Sequence, residues 1–210
     1  MKKLIFLFFA FISLSASAQY VINRPIANKI VYGSNPVFVQ SAKIMFTADG
    51  DFRTETNWNT IDQNITNASL TNSAGTLTAW KITVPSSNDW DIDGYPSNVG
   101  SGDFSVMALS KVVYNYGSGT SKTITFSSLN AAKVYKLRIA ALYYDDPTGD
   151  DKTNITVNGV TKQLLMAVAN TPYIVEFDGL TGTTISFTVS GAGSAIYPMI
   201  SAAILEEYTP

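Results

Sequence analysis

Short runs in which every second residue is apolar, each closed by glycine, asparagine, aspartate, serine or proline, recur along this 210-residue chain. In residues 122–126, Ile124 and Phe126 alternate with threonines, and in 184–189 Ile185, Phe187 and Val189 follow the same rule. Successive side chains of a strand point to opposite faces, so these runs bury one face and wet the other. No stretch keeps a helical period with caps for three turns, which leaves an all-β chain. The pattern predicts strands at 37–46, 77–84, 104–114, 122–127, 134–144, 154–157, 162–166, 173–177, 184–189 and 200–206. Asn158 followed by Gly159, between two β-rich runs, predicts a hairpin, because this pair accepts the positive φ of a type I′ turn. Residues 139–144 are apolar throughout, as in a central strand covered on both faces. The expected fold is a two-sheet antiparallel β-sandwich formed by residues 36–210 as one domain.

The start of the chain reads differently. Lys2 and Lys3 precede an apolar run over 4–12, and Ala16, Ser17 and Ala18 follow it, which is the layout of a secretory signal peptide cleaved after Ala18. The run is shorter than the ~20 residues of a spanning helix, and no second run of that length follows, so no transmembrane segment is expected. The location that follows is secreted or periplasmic, with residues 19–35 as a leader reaching the sandwich. Export permits disulfides, but the chain has no cysteine. Burial must therefore supply the stability. The composition suits that, with 46% hydrophobic residues and only 14% charged, against roughly 25% charged in an average domain. Of 14 basic residues two fall in the signal, leaving 12 against 16 acidic ones. No basic stripe remains to neutralise phosphates, so nucleic acid is not an expected partner.

Histidine is absent too. Ser-His-Asp and Cys-His catalysis, histidine-bound zinc and thiol redox chemistry are excluded by inventory. A hydrolase working with a carboxylate pair alone is the catalytic option left. Glu55, Glu176, Glu206 and Glu207 stand singly or at the C-terminus, and most aspartates fall in turn-rich segments, so no catalytic residue is assigned. The longest such segment, 85–103, is read as one long loop. Within it Asp89, Asp91 and Asp93 precede Gly94, the opening of a calcium loop with a hard oxygen at every second residue. Gly100 then stands where the bidentate glutamate belongs, and Asp103 is the candidate replacement; the alternative is a solvated acidic loop. A second acidic stretch, 145–151, reads as a polar hairpin turn. Sugar recognition needs aromatic faces beside fixed polar groups. Trp90, Tyr95 and Asn98 in the long segment, with Tyr143 and Tyr144 beside the acidic turn, are the candidates, Trp90 being equally readable as a core edge. Trp58 and Trp80 adjoin strand-like runs and read as core.

Three landmarks together carry a family likeness. They are Asn57, Trp58 and Asn59 after the first strand; Gly94, Tyr95 and Pro96; and the stretch from Phe126 through Leu129 and Asn130 to Tyr135 and Leu137. With the closing run at 200–205, the chain resembles the galactose-binding-domain-like jelly rolls of secreted bacterial proteins over residues 42–207. That resemblance implies a jelly roll, recognition of carbohydrate or a surface by loops at one end, and frequently a structural calcium ion. Independently of it, Leu129 is expected to plug the core at a turn and Tyr135 to begin the next strand. The reading assembled from these parts is a secreted, non-catalytic module recognising a glycan or other cell-surface polymer through loops 85–103 and 143–151, with calcium as candidate cofactor. Two alternatives stand beside it: a structural or adhesin subunit meeting protein partners at strand edges, and the carboxylate-only hydrolase.

Overall fold

The structure, a computed structural model, describes residues 35–48, 51, 53–85, 90–94, 99–115, 121–142, 152–165, 171–192 and 197–210, with only the backbone described at 90–94 and 114–115. Five strands form one sheet in the spatial order β11 (Tyr173–Leu180), β8 (Val134–Ala141), β14 (Ala202–Thr209), β1 (Val37–Phe46) and β2 (Asn59–Ile61). Six form the second, in the order β10 (Val160–Leu165), β9 (Lys152–Val157), β12 (Ile185–Ala192), β7 (Ser121–Ser127), β4 (Leu77–Val84) and β3 (Ile65–Thr71). All neighbours in the two sheets are antiparallel except β1 and β2. The chain passes between the sheets repeatedly, from β2 to β3, β7 to β8, β10 to β11 and β11 to β12. It is a two-sheet antiparallel β-sandwich, as the alternating runs require.

The alternation has the physical consequence expected of it. Ile124, Phe126, Ile185 and Phe187 are all buried between the sheets. Phe187 packs against Phe46 at 6.4 Å and Phe126 at 6.2 Å between ring centroids. Burying each such side chain is worth about 1.5–3 kcal/mol, and aromatic contact adds roughly 0.5–1.5 kcal/mol per pair. The threonines opposite them face outward and hydrogen-bond across strands, Thr123 to Thr188 and Thr125 to Ser186, both at 2.8 Å. Trp80 is in the core and Leu129 plugs it from a turn, while Trp58 is half-buried.

The apolar run that begins at Ile139 also has its explanation over its described part, 139–142. Ile139 faces the core between the sheets, whereas Ala140 and Leu142 face a second cluster on the outer side of the five-stranded sheet. There Phe104, Ala108 and Leu109 cover Met45, Ala202 and Ile204. Ala108 and Leu109 belong to α1 (Val106–Leu109), where a continuous strand over 104–114 was expected. Ser105 caps this single turn by accepting from the Ala108 N–H at 3.1 Å, and the strand proper, β6 (Lys111–Asn115), begins only after it. A local cap and a buried apolar face here outweigh β propensity.

β6 lies in a third, three-stranded sheet between β5 (Trp90–Gly94) and β13 (Met199–Ile200). Ser201 separates β13 from β14 and lets the chain change sheets: its N–H donates to Ala140 O at 2.9 Å and its carbonyl accepts from Phe46 N at 3.1 Å. The three-stranded sheet is thereby tied to the sandwich through the C-terminal strand, and through Val112, Val113 and Met199 in the core.

Candidate functional site

Register decides which connections share an end of the sandwich. Thr83 pairs with Thr125, Ser121 with Ser190, and Ala192 with Lys152, which in turn pairs with Leu165. In the other sheet Ala140 pairs with Ala202 and Ala141 with Tyr173. The ends of β4, β8, β10 and β12 and the starts of β7, β9, β11 and β14 therefore stand together. This rim is where segments 85–89, 116–120, 142–151, 166–172 and 193–198 leave the described strands.

Of the residues singled out in the sequence, Trp90, Asp91 and Asp93 lie on β5, where Trp90 pairs with Asn115, Asp91 with Tyr114 and Asp93 with Val112. This corrects the reading of 85–103 as one long loop. Two aspartates and a glycine are poor strand formers, but the ladder to β6 supplies the hydrogen bonds that local preference does not. A calcium loop bends so that alternate oxygens converge, whereas an extended strand spaces alternate residues about 6–7 Å apart. Asp89, Tyr95, Asn98, Tyr143 and Tyr144 lie outside the described residues.

Asp103 is described in full, and its carboxylate is committed. It accepts from Arg138 Nη2 at 2.6 Å, beside the Ser101 to Phe104 bridge that closes a turn. That hydrogen bond, with the arginine charge behind it, holds the Asp103 carboxyl below the usual aspartate range against the opposing effect of burial. Arg138 also donates to Glu206 and lies 5.8 Å above the Phe104 ring. Burial alone would lower the guanidinium, but the Asp103 bond and the Glu206 charge outweigh it and raise its pKa. Glu206 accepts in addition from the Tyr208 hydroxyl at 2.6 Å. Burial, then this bond and the carboxylate charge, push Tyr208 up to about 12. Next along the face, Lys136 bonds Glu176 at 2.9 Å.

A second charged group sits beside α1. Arg53 pairs with Asp51 at 2.5 Å, both side chains nearly buried at 8% and 3% exposure, and reaches Met107 O at 3.1 Å, Ser110 Oγ at 3.3 Å and Phe46 O at 3.0 Å. Glu55 accepts from the Ser105 hydroxyl. Sequence reasoning passed over Arg53 and Arg138. Arg138 did leave a signal, a charge between Leu137 and Ile139 in a strand expected to be covered on both faces, where a partner is obligatory. Among the described residues no three acidic side chains gather as a metal site would require.

The fold and rim define a class: an antiparallel β-sandwich with its long connections gathered at one end. No protein-family model matches the chain, and no curated protein matches it significantly. Solved structures do. Part of the Bacteroides uniformis β-glucuronidase superposes with a TM-score of 0.50 at 9% identity, over 79% of this chain and 18% of that one. The extracellular domain of ANXUR1 from Arabidopsis thaliana gives 0.49 at 9% identity, over 60% and 40% respectively. A Bacillus subtilis protein, YXIM, gives 0.46 at 11% identity, over 80% and 40%. The chain spans well under half the length of each, and the likeness is one of fold.

Proposed function

We propose that this chain is an exported, non-catalytic binding module of the galactose-binding-like kind, which engages a glycan or another surface polymer with its rim. The observation that carries the reading is the register: it sets Trp90, opposite Asn115 at the rim end of β5, at the same end of the sandwich from which the chain leaves β8 toward Tyr143 and Tyr144, while Gly94, after which Tyr95 and Asn98 follow, pairs with Lys111 at the other end of β5. Aromatic faces and polar side chains delivered to one end are what a sugar needs. The fold shared with part of a protein named as a β-glucuronidase supports a carbohydrate setting. Lack of catalysis is supported by the carboxylates. Those of Asp51, Glu55, Asp103, Glu176, Glu206 and Glu207 are each engaged by an arginine, lysine, serine or tyrosine, in contacts that tie strands and connections together rather than a facing pair across a groove.

Asp103 does not fit a calcium set while Arg138 holds it, and the extended β5 does not bend Asp91 and Asp93 into a calcium loop, so calcium enters the reading only through the outcome of the test below. The test is a glycan array followed by calorimetry of the polysaccharide it returns, with calcium and with chelator. Binding that Trp90→Ala reduces at least about tenfold, the loss of roughly 1.4 kcal/mol, is expected. An empty array, or binding that Trp90→Ala leaves intact, overturns the reading.

One observation favours a second reading, assembly with protein partners. The free edge of β1 is capped at Lys43 by the Asn59 side chain, at 3.0 Å, and at Ser41 by the Ser73 N–H, at 2.7 Å. Val37, Val39 and Phe38 before them are 66%, 44% and 53% exposed. An apolar edge with no cap among the described residues invites strand pairing. Sedimentation of the mature chain as a defined oligomer that Phe38→Lys dissolves would support this reading, and a monomer would remove it.

A further inference from the structure

The only two arginines among the described residues grip one stretch of chain. Arg138 holds its start, at Asp103 and over Phe104, and Arg53 holds its end, at Met107 O and Ser110 Oγ. Between these points Glu55 takes the hydroxyl of Ser105, and beyond them Lys111 reaches Asp51 at 3.4 Å. The gripping residues come from three places, the 51–55 connection, β8 and β14, the last through Glu206. The gripped stretch leads directly into β6, and β6 is the only described strand that pairs with β5.

Covering the outer face of a sheet does not by itself call for arginine. Apolar side chains of similar volume are often at least as stabilising, because an enclosed guanidinium must give up its hydration. A guanidinium instead fixes direction: Arg53 aims Nε at Asp51, Nη1 at Met107 O and Ser110 Oγ and Nη2 at Phe46 O, and Arg138 holds Asp103 and Glu206 together on Nη2, which an apolar contact cannot do. Phe104, Ala108 and Leu109 supply the burial, and the arginines supply the register of that burial against the sheet.

We propose that Arg138 and Arg53 are positioning residues, a two-point clasp that sets where β6 and β5 stand, and so where the backbone of Trp90 is held at the rim end of β5 before any ligand arrives. Preorganisation of this kind raises affinity by lowering the ordering cost of binding. The proposal rests on the rim being the binding end, but its test does not.

Amide exchange of the free protein reads local opening directly. Arg138→Met should speed exchange of the amides of 90–94 and 104–111 by about tenfold or more, with β7, β9 and β12 unchanged. Asp103→Asn, at an exposed carboxylate, should speed the same amides by less, and Arg53→Lys should fail to keep wild-type rates, since one ammonium cannot reach Asp51, Met107 O, Ser110 Oγ and Phe46 O together. If Arg138→Met does not fold, Asp103→Asn and Glu206→Gln carry the test. Unchanged rates at 90–94 and 104–111, acceleration of equal size in the six-stranded sheet, or wild-type rates in Arg53→Lys would overturn the clasp. An empty glycan array strikes the rim reading alone, and unaltered exchange strikes the clasp alone.

Discussion

At one end of the sandwich, residues 72–76, 128–133, 158–159 and 181–184 join the strands; at the other, residues 85–89, 116–120, 142–151 and 166–172 leave them. The first group satisfies its own polar groups. The Asn72 side chain accepts from the N–H groups of Ala74 and Thr76, both at 3.0 Å, and Asn130 accepts from Ala132 at 2.9 Å. The buried Tyr135 hydroxyl accepts from Asn130 N at 2.7 Å and donates to Glu207 at 3.1 Å. Burial, reinforced by Glu207, raises that hydroxyl far above an ordinary tyrosine, so it stays a donor. Asn158, Gly159 and Gly182 take the positive φ their turns need. For the chain that leads to β6 and so to β5, the comparable fixation comes from Arg53 and Arg138, which reach across the outer face from other parts of the chain. The turn end is held by hydrogen bonds within and across its turns, and the chain that leads to β5 by arginines on the outer face, so substitutions at the two places should differ in both size and reach.

The wall between the ends sets the scale. Phe187→Ala, which empties the contact among Phe46, Phe126 and Phe187, should cost about 3–5 kcal/mol in urea unfolding. A cost below about 1 kcal/mol would mean that the sheets are not closed over that residue. Tyr135→Phe comes next: it strips the hydrogen bonds to Asn130 and Glu207 and should cost about 1–3 kcal/mol without altering binding at the rim. Gly159→Ala meets no atom within 4 Å but sits at φ +77°. It should cost about 1–2 kcal/mol from backbone strain alone, and an unchanged midpoint would deny the type I′ turn.

The smallest effect is expected on the outer face of the five-stranded sheet. Asp103 is more than half exposed, so its pairing with Arg138 is worth at most about 1 kcal/mol after screening. Its carboxyl is held below the usual range. The stabilisation is therefore complete above the ordinary aspartate value of about 3.9 and is lost as pH falls through the depressed one. Asp103→Asn should flatten that acid limb slightly and leave stability at neutral pH within about 1 kcal/mol of wild type.

Strands whose alternation is regular could be read directly, β7 and β12 above all, and the Asn158-Gly159 hairpin announced itself because few dipeptides tolerate two positive φ angles. β2 and β3 were not legible. Asn57, Asn64 and Asn67 carry positive φ around and within them, and β3 breaks register twice against β4, which scatters the two-residue period. β5 was missed for a different reason: its partner β6 lies beyond α1 in sequence, and a ladder between such strands leaves no trace in the composition of either. A concentration of aromatic and acidic residues was legible, but that Trp90 shares an end of the sandwich with the close of β8 follows from register, which sequence spacing does not report. Arg138 showed as a charge in an apolar run, while its partners at Asp103 and Glu206 stand 35 and 68 positions away.

Amide-exchange mapping of the protein with and without the polysaccharide returned by the array tests the division between the ends most directly. The account predicts added protection at 90–94, around 142 and 152 and in the segments leaving those strand ends, with none at 72–76, 128–133 or 158–159. Protection centred on the turn end, or spread over the outer face of the six-stranded sheet, would contradict it.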